Sequence, residues 1–211
     1  MYLPPYHVET DVAVMQALIQ AHPLGTWVTS GADGLAANHI PFILDRTRGT
    51  HGTLRAHVAR ANPIWRTLSG GANSLVIFQG PQSYITPSWY PGKQIDGKVV
   101  PTWNYTVVHA RGVANAIEDP VWIYQLITDL TRANESSNPQ PWQVSDAPAN
   151  FIEQMAKAIV GIEIALTGME GKWKLSQDET LADRQGTIAG LASQRNTNAT
   201  DLARLVQERM A

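Results

Sequence analysis

The run Thr102, Trp103, Asn104, Tyr105 inside "VVPTWNYTVVHARGV" sets hydroxyl, indole, amide and phenol side by side. In an extended chain side chains alternate, so Thr102, Asn104 and Thr106 share one face and Trp103, Tyr105 and Val107 the other. A flat heteroaromatic ligand needs both kinds of contact, polar groups at its ring edge and a planar side chain against its face. A strand at a subunit interface or beneath a helix has the same composition, and pattern alone favours that simpler explanation. Two cationic stretches accompany it. In "GTLRAHVARANPIW", Leu54, Ala56 and Val58 form one strand face and Thr53, Arg55 and His57 the other. Arg60 follows, and Asn62 with Pro63 reads as a cap and first turn whose free amides favour an anion. In "EGKWKLSQ", Lys172, Lys174 and Ser176 alternate with Trp173, Leu175 and Gln177, two ammonium groups beside a hydroxyl that suit a phosphate. A solvated strand face and a lysine-protected edge strand explain these two stretches equally well.

Other chemistries find no footing. The six histidines show no HExxH or similar ligand spacing, so no metal site is expected, and His39 and His109 read as packed strand histidines. There is no GxSxG elbow, no GxGxxG opening a helix and no GxxxxGK[ST], and no catalytic residue is assigned. With no cysteine, disulfides, thiolate metal sites and cysteine nucleophiles are excluded. A net charge of −2 gives no global attraction to a nucleic-acid backbone, so DNA is a weakly supported partner. No apolar run approaches the roughly 20 residues a bilayer requires. The start, "MYLPPYHVET", lacks a signal-peptide pattern, and a cytoplasmic protein is expected.

The elements that must position these residues follow from periodicity. "TDVAVMQALIQAHPLG" spaces Val12, Met15, Leu18 and Ile19 as a helix, capped by Thr10 or Asp11 and stopped by Pro23 and Gly25. Short strands are expected at 26–29, 36–43, 53–59, 74–79, 82–86 and 102–115, separated by turns such as "SGADG" and "SGGAN". Their spacing suggests an antiparallel barrel or sandwich. "EDPVWIYQLITDLTRANE" is a helix with Asp119 as cap, Pro120 at its first position and an apolar stripe of Trp122, Ile123, Leu126, Ile127 and Leu130. "PANFIEQMAKAI" is a short helix, "VGIEIALTGMEG" and "WKLSQ" are strands, and "NATDLARLVQERM" is a terminal helix with Leu202, Leu205, Val206 and Met210 on one face. One domain with helical additions fits the length of 211 residues.

Taken together, "MYLPPYHVE", "NHIPF", "LRAHVARANPIW", "VIFQGPQSYITPSWY", "GKVVPTWNYTVVHARG", "PWQVSDAP", "IVGIEI", "GKWKLSQ" and "DRQGTIAGL" occur in an order that resembles the PaiB family of FMN-binding negative transcriptional regulators. The resemblance runs from residue 1 to about 191. It implies an α+β fold, an antiparallel split β-barrel of the kind shared with pyridoxamine phosphate oxidases and flavin reductases. Residues 1–191 would form that domain, with a helical insertion around 118–159, and 192–211 a C-terminal helix. It further implies a homodimer with FMN between the subunits. Arg55, Arg60 and Lys174, helped by Ser176, would take the phosphate; Thr102, Asn104 and Gln177 would make polar contacts with ring or ribityl; His57, Trp103 and Tyr105 would shape the pocket. The function implied is negative transcriptional regulation, with flavin-dependent oxidoreduction as the alternative. A sensor for another flat ligand or heme is a third reading, heme being the least favoured because no histidine spacing demands it. Two positions depart from the pattern. Gln177 is followed by Asp178 where the family resemblance leads one to expect asparagine, and "LTRANE" has Asn134 in place of a histidine.

Overall fold

The computed structural model describes residues 1–31 and 34–210. Ala32 and Asp33, in the expected "SGADG" turn, lie outside them. Eight strands form an antiparallel sheet in the order β3-β2-β6-β7-β8-β5-β4, with β1 also pairing with β8. The strands are β1 (Val8–Glu9), β2 (Leu24–Gly31), β3 (Gly34–Pro41), β4 (Ile43–Asp45), β5 (Thr53–Ala59), β6 (Ala72–Ile85), β7 (Thr102–Ile117) and β8 (Ile159–Lys174). The helices are α1 (Val12–Ala21), α2 (Pro120–Glu135), α3 (Ala149–Lys157), α4 (Leu181–Ser193) and α5 (Thr197–Glu208). The chain divides into two compact units, one of Met1–Leu18, Gln79–Val108 and Glu170–Ala211, the other of Ile19–Phe78 and His109–Met169.

The second unit contains β2 to β5, α2 and α3. Its core rests on the alternation read from sequence: Leu54, Ala56 and Val58 are buried along β5, which pairs with β8 from Thr53↔Ala165 to Ala59↔Ile159. Phe42 and Phe78 meet edge to face at 5.8 Å, and Trp27 is fully buried. Asp119 caps α2 as expected, its carboxylate accepting from the Val121 and Trp122 amides, and Ile123 and Leu126 are the buried part of the apolar stripe.

The first unit contains β1, α4 and α5, together with the segments of β6, β7 and β8 in its residue ranges. Leu175, Leu191, Leu202 and Val206 are fully buried there. The terminal helix is where periodicity puts it, while α4 was not expected. Two expected breaks are absent. β6 runs unbroken where two strands were predicted, and β8 likewise continues from Ile159 to Lys174 before turning. Gly80, in the gap between the two expected strands, is a place of close approach. A side chain there would collide with the Thr106 hydroxyl and with Leu18. Conversely, the single strand expected at 36–43 is interrupted between β3 and β4.

Candidate functional site

In the first unit the start of β7 and the end of β8 bring most of the sequence-predicted residues together. Thr102, Asn104 and Thr106 lie on the inner face of β7, Asn104 and Thr106 fully buried, whereas Trp103 on the outer face is 48% exposed. The Lys174 ammonium donates to the Thr102 hydroxyl. The Asn104 amide donates to Ser176 Oγ at 2.8 Å, both side chains being buried. The Asn104 carbonyl oxygen and the Thr106 hydroxyl have no hydrogen-bond partner. A buried polar atom left so is costly unless something outside the protein pairs with it.

Ser176 adopts φ 59, the left-handed region uncommon for a residue with a side chain, so the expected strand 173–177 ends in a turn. Gln177 closes that turn. Its Oε1 accepts from the Leu175 amide at 2.7 Å and its Nε2 donates to the Trp173 carbonyl at 2.6 Å. Trp103 donates its indole N–H to Gln82 Oε1 at 3.1 Å and meets Tyr84 edge-on at 6.2 Å. Tyr105 faces the Lys172 ammonium at 5.4 Å.

Two further residues stand beside Lys174: Lys172, which the sequence already paired with it as a phosphate-suited ammonium, and His7, which sequence reasoning left out. Lys172 is 8% exposed and His7 is 4% exposed. Burial lowers the His7 pKa; Asp178 opposes that shift, and Lys172 and Lys174 add to it. Lys172 was legible, two residues before Lys174 on the same strand face. For His7 no local signal exists, since its place depends on β1 pairing Val8↔Lys172.

Arg55, His57 and Arg60 belong to the second unit, and both guanidinium groups are already committed. Arg55 pairs with Asp129 at 3.0 Å, both side chains being mostly buried. Arg60 pairs with Glu118 at 2.5 Å and donates to the carbonyls of Lys157 and Ile159 at 2.8 and 3.2 Å, pinning the entry to β8. His57 is held below its ordinary pKa by burial. The predicted helix start after Asn62 is a short 3-10 turn, Pro63–Leu68, whose cap is made by the Asn62 side chain accepting from the Ile64 amide. A cavity of about 680 Å³ opens between α2 and α3, lined by Ile123, Tyr124, Val144 and Ile152 with Arg60 and Lys157; of the predicted site residues only Arg60 reaches it. Among the described residues no cluster of three or more potential metal ligands exists.

Comparison with known proteins sets this arrangement in a lineage. Residues 1–168 match the family described as "Putative FMN-binding domain". The chain is 31% identical over 211 residues to the Bacillus subtilis (strain 168) protein "Protease synthase and sporulation protein PAI 2", PaiB, covering 100% of this chain and 98% of that one. It is 34% identical to an uncharacterized Aspergillus fumigatus protein, covering 99% and 97% of the two chains. Among solved structures, the flavocytochrome Anf3 from Azotobacter vinelandii superimposes with a TM-score of 0.60 at 12% identity over 82% of this chain and 72% of that one. The FAD and heme binding protein from Mycobacterium smegmatis gives 0.57 at 15% identity over 87% and 80%. Those structural likenesses fix the fold as an α+β split barrel. With the family match and the full-length relationship to PAI 2, they make this chain a member of the PaiB family of FMN-binding-domain proteins.

Proposed function

We propose that this protein is a homodimeric FMN-binding protein of the PaiB type that acts as a negative transcriptional regulator in the cytoplasm. The observation that carries the flavin part is the buried cluster of Thr102, Asn104, Lys174 and Ser176, with the Asn104 carbonyl unpaired inside it. Its donor set fits FMN. A buried amide oxygen without a donor suits the N–H and carbonyl edge of a flavin ring, an ammonium suits the phosphate, and Trp103 and Tyr105 offer planar surface. In this reading Thr102 and Asn104 meet the polar edge, Lys174 and Ser176 the phosphate, and Gln177 acts indirectly by holding the turn on which Ser176 sits. Bound FMN would supply one- or two-electron redox chemistry, while the protein binds and orients it. Arg55 and Arg60 would each have to exchange a carboxylate for the phosphate, and burial disfavours the charged form of His57. Replacing Arg55 should therefore change stability more than flavin affinity.

Exposed apolar side chains support the dimer, among them Trp103, Tyr84, Val100 and Ile95, since aromatic side chains are enriched at subunit interfaces. No described helix is long and apolar enough to cross a membrane. Residues 1–191 would serve as the flavin domain and 192–211 as an appended helix. The test is a fluorescence titration of the purified protein with FMN and riboflavin, with mass measured in solution. FMN should bind far more tightly than riboflavin to a dimer, and Lys174→Ala should weaken FMN by about 1.5 to 3 kcal/mol, the worth of one charge-assisted hydrogen bond. A protein that binds neither flavin ends this reading.

A further inference from the structure

The cavity of about 680 Å³ between α2 and α3 lies wholly within the second compact unit. None of the buried β7 and β8 cluster lines it, and part of its wall comes from a stretch the flavin reading leaves unused. "PWQVSDAP" supplies Val144, Ser145 and Ala147, while α2 contributes Ile123 and Tyr124 and α3 contributes Ile152 and Ala156. Both ends of this wall are fastened. Gln143 and Asp146 close the turn around Val144, the Gln143 amide donating to Asp146 Oδ2 at 2.9 Å. At the far end Arg60 donates to the carbonyls of Lys157 and Ile159, which ties the last turn of α3 to β8. Between those anchors α3 is amphipathic, yet none of its residues is buried. Ile152 and Ala156, four residues apart on one face, line the cavity instead of meeting a packed neighbour. A helix in a protein draws most of its stability from packing its apolar face, and here that packing is missing.

The charges on the wall choose the class of occupant. Arg60 is answered by Glu118 at 2.5 Å, and Glu153 and Lys157 stand one turn apart on α3 with opposite signs. The lining therefore has no surplus charge with which to hold an ion. What remains is apolar wall, with the hydroxyls of Tyr124 and Ser145 to orient a guest. A neighbouring recess of about 340 Å³ shares Tyr124, Val144 and Ser145 and adds the indole of Trp142. The larger volume falls in the range of about 300 to 1,000 Å³ that small-molecule pockets occupy. A concave space of that size between two helices suits a compact molecule better than the flat surface of another protein.

We propose that this cavity is a second binding site, for an uncharged, largely apolar aromatic compound, and that its occupant completes the packing of α3 against α2. The site shares no residue with the cluster of Thr102, Asn104, Lys174 and Ser176 and stands whether or not that cluster holds a flavin. It gives the protein a small-molecule input of its own.

The experiment uses two fluorescent dyes of one skeleton, the uncharged N-phenyl-1-naphthylamine and its anionic counterpart 1-anilinonaphthalene-8-sulfonate, both of which brighten in apolar surroundings. Titrated into the full-length protein, the uncharged dye is expected to saturate at one per chain and to bind about tenfold more tightly than the sulfonate, or better. Ala156→Trp fills the cavity and should weaken the uncharged dye about tenfold or more. Phe151→Ser, on the exposed side of α3 and outside the lining, should leave it unchanged. Equal affinity for the two dyes overturns the uncharged class, and dye binding that survives Ala156→Trp overturns the site. Displacement of the dye by FMN or riboflavin makes the cavity part of a flavin site and overturns its independence. A mass in solution that changes with Ala156→Trp shows a second copy of the chain covering the cavity and overturns the small-molecule reading. Should Ala156→Trp fail to fold, Ile152→Trp fills the same space from one turn earlier. The dye preference of the wild-type protein needs no variant, and absence of saturable binding of the uncharged dye there sinks the proposal.

Discussion

At the scale of single residues, the polar groups of β7 point inward and the aromatic ones outward. Alternation predicted that Thr102 and Asn104 share a face; it could not say that this face is the buried one, because inside and outside depend on what covers the strand. The partner of Arg55 was similarly hidden, since Asp129 comes from a helix far along the chain and is brought close only by the fold. His57 gives a prediction at this scale. Burial disfavours its imidazolium, so its pKa lies below the ordinary 6.5 in the folded protein. The unfolded chain then binds more protons than the folded one as pH falls below 6.5, and stability drops across that window until the folded-state pKa is passed. His7 is depressed in the same direction, again chiefly by burial. Denaturant midpoints should therefore fall between pH 7.5 and roughly pH 5, and His57→Gln should flatten part of that slope. An unchanged slope in the variant would remove His57 as a contributor.

Among the elements, the strands with plain alternation and the helices with caps were legible, α2 through Asp119 and Pro120 and α5 through its spacing of Leu202 and Val206. Where the elements differ from the expected ones, glycines are found: Gly80 lies in the gap between two expected strands, and Gly186 with Gly190 lie in the unexpected α4, where glycine lowers the propensity of both structures. In each case the glycine is there for contact. On α4 the two lie one turn apart, and a side chain at either would run into Trp89, its carbonyl oxygen at Gly186 and its indole at Gly190. Gly186→Ala should thus destabilise the protein by about 1 to 3 kcal/mol, as overpacking does, despite alanine's better helix propensity. Chemical denaturation checks it; a stabilised variant would show that helix propensity outweighs the contact with Trp89.

For the molecule as a whole, charge is the feature that bears on the proposed regulation. A net charge of −2 supplies no attraction to the DNA backbone, and each phosphate contact made by a lysine or arginine would add about 0.9 to the steepness of the salt dependence. Binding to a promoter fragment should hence be weak and change less than about tenfold between 50 and 200 mM salt, an outcome that would make the proposed regulation indirect. A steep slope would instead demonstrate direct contact. The path of the chain has a different consequence. It passes between the two compact units at 18/19, 78/79, 108/109 and 169/170, and every one of those points falls inside a helix or strand, α1, β6, β7 and β8 in turn. No continuous stretch of the gene encodes either unit, so a recombination, exon shuffle or truncation cannot carry one off without the other, and the buried polar cluster of β7 and β8 can be inherited only with the entire fold.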